Sequence, residues 1–312
     1  MSKWTEADIP DQSGRTALIT GANSGLGLQS AKVLAAKGAR VLLACRSAGR
    51  GEQALRAVKA VAAVEPELIR LDLADLASVR RAATEVRELS GDSLDILMNN
   101  AGLIAAARAR TKDGFELQFG TNHLGHAALT WLLMPALRGG TSARVVTLTS
   151  IGAAGVQLDF DDPGYERRPF NPAATYGRSK LANQVFALEL DRRLRTAQVD
   201  ISSVVAAPGY AATELVPTMA KSYPWPLGAL LGGASKLGDL LIAQTVRTGA
   251  LPQLYAAAAP GVNGGDYVAP ALLQMWGQPR FVTPVATALD HATGIALWEL
   301  TAKLTGVTPD PD

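Results

Sequence analysis

Thr16-Ala17-Leu18-Ile19-Thr20-Gly21-Ala22-Asn23-Ser24-Gly25-Leu26-Gly27 is the stretch on which the fold turns. Thr16–Thr20 is short, aliphatic and flanked by threonines, so it reads as a strand, and helical spacing follows over Leu26–Lys37. The three glycines between them do different work. Gly21 permits a tight turn, Gly25 lets the backbone approach a pyrophosphate, and Gly27 allows the helix to pack closely on the strand. The helix amino terminus then offers free N–H groups and a positive dipole end to phosphate. Asn23, Ser24 and Leu26 complete this candidate cofactor loop. Glycines also mark ordinary turns, but a cluster between the first strand and first helix of a βα series favours a dinucleotide.

Outward from that loop the same alternation repeats. Further strands are expected at Arg40–Cys45, Glu67–Leu71, Leu94–Met98, Ala143–Thr149 and Asp200–Ala206, and helices near Glu52–Val61, Leu76–Leu89, Phe115–Leu137 and Ala174–Leu194. Strands that are apolar on both faces imply a parallel sheet covered by helices on each side. Right-handed crossovers make this an α/β, doubly wound Rossmann-type fold with ligands at the carboxyl ends of the strands. After Ala206 the regularity fails. Residues 210–260 are rich in Gly, Pro, Ala and Leu, carry Tyr223-Pro224-Trp225-Pro226, and read as a substrate lid. A last strand near Asp266–Val268 and a helix over about Ala286–Leu304 follow. No internal repeat or composition shift marks a second domain, so residues 1–312 read as one.

Composition removes several functions. The 312 residues are 48% apolar and 19% charged, with mean hydropathy +0.11, far from the signature of disorder. Thirty Lys and Arg against 28 Asp and Glu leave +2, no basic field for nucleic acid. One cysteine, Cys45, allows no internal disulfide and no cysteine-based zinc site. His123 and His126 read as polar residues on a packed helix rather than metal ligands. The uncharged run Leu117 to Leu137 contains Gln118, Thr121, Asn122, His123, His126 and Thr130, costly in lipid, so it reads as a buried helix. With charges among the first eight residues, a soluble cytoplasmic protein is expected.

The loop spacing, Thr-Gly-x-x-x-Gly-x-Gly, is one of several signals in a fixed order. Asn99-Asn100-Ala101-Gly102 follows the fourth strand, Asn122 lies in the long helix, and Ser150 follows the fifth strand. Tyr176-x-x-x-Lys180 comes next, then Pro208-Gly209 and Thr213 after the sixth. Together, over about residues 14–213, these resemble the short-chain dehydrogenase/reductase family. Ser150 and Tyr176 are 26 positions apart, longer than the minimal family version, and the loop contains Asp159-Phe160-Asp161-Asp162, read as solvated acids rather than a metal site. That insertion, with Asn122-His123-Leu124-Gly125-His126 and the stretch Tyr176 to Asn183, resembles the retinol-dehydrogenase-like branch. Ala296-Leu297-Trp298-Glu299-Leu300 is similar to bacterial members of it.

The resemblance implies a catalytic set. Ser150 binds the substrate oxygen, Tyr176 gives or takes the proton, Lys180 binds the nicotinamide ribose, and Asn122 holds a water linking Lys180 to solvent. Asn171-Pro172 reads as a helix start, so Tyr176 and Lys180 share a face. A tyrosine near pKa 10 is a poor acid or base at neutral pH. A nearby ammonium and a positive nicotinamide ring are expected to lower it. Asn100, Ala101 and Gly102 shape the floor under the cofactor, Pro208, Gly209 and Thr213 meet its nicotinamide end, and Asp72 with Leu73 matches the adenine contact. A plain loop or capping role competes for Asp72.

An NAD site places an acid at the end of the second strand. Here Cys45 stands there, followed by Arg46, whose guanidinium can clamp a 2′-phosphate, so NADP is expected. A solvated Arg46 is the bland alternative. The reading is an NADP-dependent alcohol dehydrogenase or carbonyl reductase. Leu215–Leu254, with Pro217, Met219, Tyr223, Trp225 and few charges, points to a bulky apolar substrate. A non-catalytic cofactor-sensing regulator is the alternative from another class, disfavoured by the Tyr176/Lys180 pair. A light-dependent protochlorophyllide-type reductase is the other, disfavoured because Cys45 sits at the adenosine end. A homodimer or homotetramer is expected to pair through the helices bearing Asn122 and Tyr176.

Overall fold

A computed structural model describes residues 3–208 and 245–311. Its strands are β1 (Thr16–Thr20), β2 (Arg40–Cys45), β3 (Glu67–Arg70), β4 (Ile96–Asn99), β5 (Ala143–Leu148), β6 (Ile201–Ala206), β7 (Tyr267–Leu272) and β8 (Trp276–Phe281). They form one sheet in the order β3-β2-β1-β4-β5-β6-β7-β8, parallel throughout except for the antiparallel β7–β8 pair. The chain reverses its direction of winding between β1 and β4. At such a switch point the crossovers depart to opposite faces and leave a crevice at the strand carboxyl ends.

The helices are α1 (Gly25–Ala36), α2 (Ala48–Lys59), α3 (Leu76–Ser90), α4 (Leu117–Phe119), α5 (Gly125–Leu132), α6 (Met134–Gly139), α7 (Pro172–Thr196), α8 (Val246–Gly249), α9 (Leu251–Ala258), α10 (Ala286–Leu289) and α11 (His291–Thr305). One core layer joins the sheet to α1, α2 and α9, through Ala31, Leu34, Val58, Leu254 and Ala257. The other joins it to α3, α5, α7 and α11, through Val79, Leu129, Val185, Leu190 and Trp298. The α/β, doubly wound architecture with helices on both faces is therefore the observed one.

Three departures from the sequence reading have local causes. The run over 115–137 is not one helix: a wide π turn, Gly120–Leu124, separates α4 from α5, and a second break precedes α6. Gly120 and Gly125 bracket that turn where a Cβ would collide with Thr111 and with the Leu73 carbonyl. Pro135, in the first turn of α6, has no N–H to continue α5. Strand β8, with Gly277 and Pro279, carries no strand signature, and it is tolerated because it lies at the sheet edge. Residues 246–258, assigned to the lid, are α8 and α9, and α9 is buried behind the sheet rather than over its mouth. The rest of the lid range, residues 210–244, lies outside the described residues.

Helix α11 lies across α5 and α7. Trp298 stacks on Phe186 at 5.4 Å and meets Trp131 edge-on at 4.8 Å, while His123 Nε2 sits 2.9 Å from Thr301 Oγ1. Helix α11 thus covers part of α5 and α7.

Candidate active site

The loop after β1 has the shape its glycines allow. Gly21 adopts φ +67°, and a Cβ there would lie 3.0 Å from Ala101 Cα. A Cβ on Gly27 would lie 2.5 Å from the Gly21 carbonyl oxygen, so α1 packs on the loop only with glycine at that position. Gly25, at φ +52°, opens onto free space. Ser24 stands at the helix cap without a side-chain bond to α1, so the first N–H groups of the helix remain for another acceptor. An uncapped helix start facing an open glycine fits the pyrophosphate of a dinucleotide. Asn23 and Leu26 are half-buried beside it.

A hydroxyl that the sequence reading passed over holds the neighbouring turn. Thr20 Oγ1 accepts the N–H groups of Asn100 and Ala101, both at 2.9 Å, and Asn100 Nδ2 donates to the Thr20 carbonyl at 2.7 Å. From α9, Gln253 Nε2 donates to Ser30 Oγ at 2.7 Å and to Asn100 Oδ1 at 3.3 Å. At the far end of the crevice Cys45 is buried, its thiol pushed up to about 11 by desolvation, while Arg46 is exposed. Asp72 is half-exposed and accepts the Ala74 N–H through Oδ1 at 3.0 Å, a bond within its own loop. Leu73 is buried against Gly125.

Ser150 and Tyr176 meet through two glycines. Ser150 caps the short turn Ile151–Ala153, its Oγ accepting the Gly152 N–H at 3.2 Å. Helix α7 starts at Asn171, whose side chain accepts the Ala174 N–H at 3.0 Å, with Pro172 in the first turn. Gly177 lets that helix press on the Gly152 carbonyl, where any Cβ would collide. Ser150 Oγ and Tyr176 Cδ1 consequently lie at the same 3.7 Å from the Cβ direction of Gly152. Lys180, one turn on, is 4% exposed, donates to the Leu148 carbonyl at 3.2 Å and sits 5.8 Å from the Tyr176 ring centre.

In the protein alone, burial pushes the Tyr176 phenol up to about 12, opposed by its interaction with the Ser150 hydroxyl, and pushes Lys180 down to about 8. The Lys180 ammonium, 5.8 Å from the ring centre, and a positive nicotinamide ring would act in the opposite direction. The Asn122 side chain bonds to protein at both of its polar atoms. Its Oδ1 accepts the Leu103 N–H at 2.9 Å, and its Nδ2 donates to the Leu103 carbonyl and to Ser179 Oγ, both at 3.0 Å. Ser179 Oγ in turn donates to the Tyr176 carbonyl at 2.7 Å. Asn122 is therefore a strut between the turn after β4 and the helix of Tyr176.

The acidic insertion is not a solvated loop. Asp162 is 5% exposed and accepts the N–H groups of Glu166 and Arg167 at 2.8 and 3.1 Å, and Arg168 pairs with Asp159. Arg178, from α7, lies 4.0 Å over the Tyr165 ring. Gly102 abuts Lys180 Nζ, and Pro208 ends the described stretch after β6. Gly209 and Thr213 lie outside the described residues. Among the described residues no three His, Cys, Asp or Glu side chains converge as metal ligands, and no helix is long and apolar enough to cross a membrane.

A family model described as short chain dehydrogenase matches residues 15–223, a span that contains the glycine loop, Asp72, Ser150, Tyr176 and Lys180. The chain belongs to the short-chain dehydrogenase family. As a member it is an oxidoreductase of a family that uses NAD or NADP. Its likeness to retinol dehydrogenases runs along almost the whole chain. Human retinol dehydrogenase 13 is 33% identical over 306 residues, 97% of this chain and 87% of its own length. Mouse polyprenol dehydrogenase is 36% identical over 305 residues, covering 96% and 86%. Among solved structures, an uncharacterized protein of Mycobacterium paratuberculosis superposes with TM-score 0.80 at 38% identity, covering 98% of each chain. Pseudomonas aeruginosa RhlG, solved with NADP, gives TM-score 0.63 at 26% identity over 82% of this chain and 94% of its own.

Proposed function

We propose that this short-chain dehydrogenase is an NADP-dependent carbonyl reductase or alcohol dehydrogenase, cytoplasmic, acting on a bulky apolar substrate. The observation that carries the chemistry is the convergence of the Ser150 hydroxyl and the Tyr176 ring on Gly152, with Lys180 one turn further on α7. A bound nicotinamide dinucleotide supplies or takes up the hydride. The chain's own residues do the rest. Ser150 holds the substrate oxygen and stabilises the charge that develops there. Tyr176 exchanges the proton with that oxygen. A phenol pushed up to about 12 is neutral at pH 7 and set to give its proton, which suits carbonyl reduction. Alcohol oxidation needs the phenolate and so gains as pH rises.

The free N–H groups at the start of α1 would hold the pyrophosphate beside Asn23 and Ser24, with Gly21, whose N–H donates to the Ala44 carbonyl at 2.8 Å, shaping the turn. Asn100, Ala101 and Gly102 would floor the site, and Lys180, still largely charged at pH 7, would meet the nicotinamide ribose. Asp72 would accept from the adenine amino group. NADP is favoured by Arg46, exposed at the end of β2 where an acid would repel a 2′-phosphate, and by the neutral Cys45 before it. The bulky apolar class draws on the residue types of 215–244 and on relatives named for retinol and polyprenol. A homodimer or homotetramer is the assembly proposed, with Trp298 and its helix covering part of α5 and α7.

The test is spectrophotometric. NADPH and NADH oxidation are followed against matched carbonyl compounds of increasing apolar size, with the reverse reaction run on the alcohols. The expected result is NADPH preference and kcat/KM rising with apolar size. Faster turnover of small charged ketoacids would sink the substrate class, and tighter NADH binding would sink the Arg46 assignment.

A further inference from the structure

His126 has no part in the chemistry above, yet both of its ring nitrogens are engaged at the cofactor floor. Nδ1 lies 2.9 Å from the Asn122 carbonyl oxygen and Nε2 lies 2.9 Å from Thr20 Oγ1. A carbonyl only accepts, so Nδ1 carries the hydrogen. The ring is 2% exposed, and burial with the Lys180 ammonium nearby pushes it down to about 4, which leaves it neutral at pH 7. Nε2 is then a bare acceptor, and the Thr20 hydroxyl must donate to it. The two lone pairs of Thr20 Oγ1 take the N–H groups of Asn100 and Ala101. Every bond around that hydroxyl therefore has a determined direction. The Met98 carbonyl, at 3.3 Å, is the weaker acceptor left to it if the imidazole is removed.

We infer that His126 is a positioning residue of the cofactor site, locking the Thr20 hydroxyl, and with it the Asn100–Ala101 turn, to the segment that carries Asn122. The inference rests on the dinucleotide reading above. Its reach follows from the contacts on either side. Thr20 directly precedes Gly21, which packs on Ala101 with no room to spare, so a rotated hydroxyl moves the turn against the phosphate loop. On the other side the Asn122 side chain continues through Ser179 to the backbone of Tyr176. One neutral imidazole thus joins the floor of the dinucleotide site to the helix of Tyr176 and Lys180, without touching a reacting atom.

The experiment compares amides that replace one nitrogen each. NADPH affinity is measured by titration calorimetry on the full chain and on His126→Leu, His126→Gln and His126→Asn, with melting temperatures alongside. A glutamine amide oxygen reaches the place of Nε2 and keeps the Thr20 acceptor, whereas asparagine reaches only the place of Nδ1. His126→Leu is expected to weaken binding about ten-fold, the scale of one lost buried hydrogen bond. His126→Gln should recover to within about three-fold and His126→Asn should not, while kcat at saturating cofactor falls less than affinity in all three. Thr20→Val combined with His126→Leu should bind no more weakly than Thr20→Val alone. Unchanged affinity in His126→Leu, or equal affinities for the Gln and Asn variants, overturns the inference. The Gln and Asn pair decides alone if the leucine variant does not fold. A wild-type chain that binds neither NADPH nor NADH overturns the dinucleotide reading and this inference with it. Tight wild-type binding with no effect of position 126 overturns this inference alone.

Discussion

The two sides of the switch point build their ligand-facing edge in different ways. On the β1 side the working parts are contiguous: Gly21, Gly25 and Gly27 lie within seven residues and shape the open helix start, with the Asn100–Ala101 turn packed beside them. On the β5 side Ser150 and Tyr176 stand 26 positions apart and meet because Gly177 lets α7 press on the Gly152 carbonyl. Asn122, on a third segment, then braces that helix through its own Ser179. The first side is a local conformation, and the second is a contact between distant pieces. A change on the first side should therefore cost cofactor affinity, and a change on the second should cost turnover.

The sharpest division comes from Tyr176→Phe. It should lower turnover by ~10²–10⁴ while NADPH affinity holds, the usual worth of a placed acid or base. Near-normal rates would remove the phenol from the chemistry. A matched pair of glycine substitutions asks the same question of the scaffold. Gly177→Ala should reduce kcat by roughly 10²-fold by pushing α7 off Gly152, with binding spared. Gly27→Ala should weaken NADPH binding with kcat at saturation largely kept, because its Cβ meets the Gly21 carbonyl oxygen at 2.5 Å. Stopped-flow and equilibrium binding on both variants would break the comparison if the two effects came out exchanged.

At the adenosine end, Arg46→Glu should cost NADPH about ten-fold in affinity and leave NADH nearly untouched, the scale of one charge-assisted contact. Equal losses for both cofactors would return Arg46 to the solvent. The smallest effect is in the pH profile. With the Tyr176 phenol at about 12, alcohol oxidation should rise with pH, because the phenolate it needs becomes more populated. With Lys180 at about 8, cofactor binding should weaken as pH passes that value and the ammonium is lost. Reduction rates at saturating NADPH should stay level between pH 6 and that point. A rate that falls on the acid side of 7 would assign the proton to another group.

The sequence by itself determined the alternation of strands and helices and the glycine turn after β1, and it singled out the residues proposed to react. Parallel strands buried on both faces must be apolar throughout, and a left-handed turn that clears Ala101 demands glycine, so both leave marks in contiguous residues. The tertiary structure alone decided what depends on neighbours from elsewhere in the chain. The break at Gly120–Leu124 answers to Thr111 and Leu73, and the covering of α5 and α7 answers to Trp298, which lies more than 100 positions from α7's Phe186. β8 exists because β7 offers it an edge. Burial pushes the Tyr176 phenol up to about 12 in the protein alone, and because desolvation is a property of the packed surroundings, no spacing of residues in a sequence encodes it.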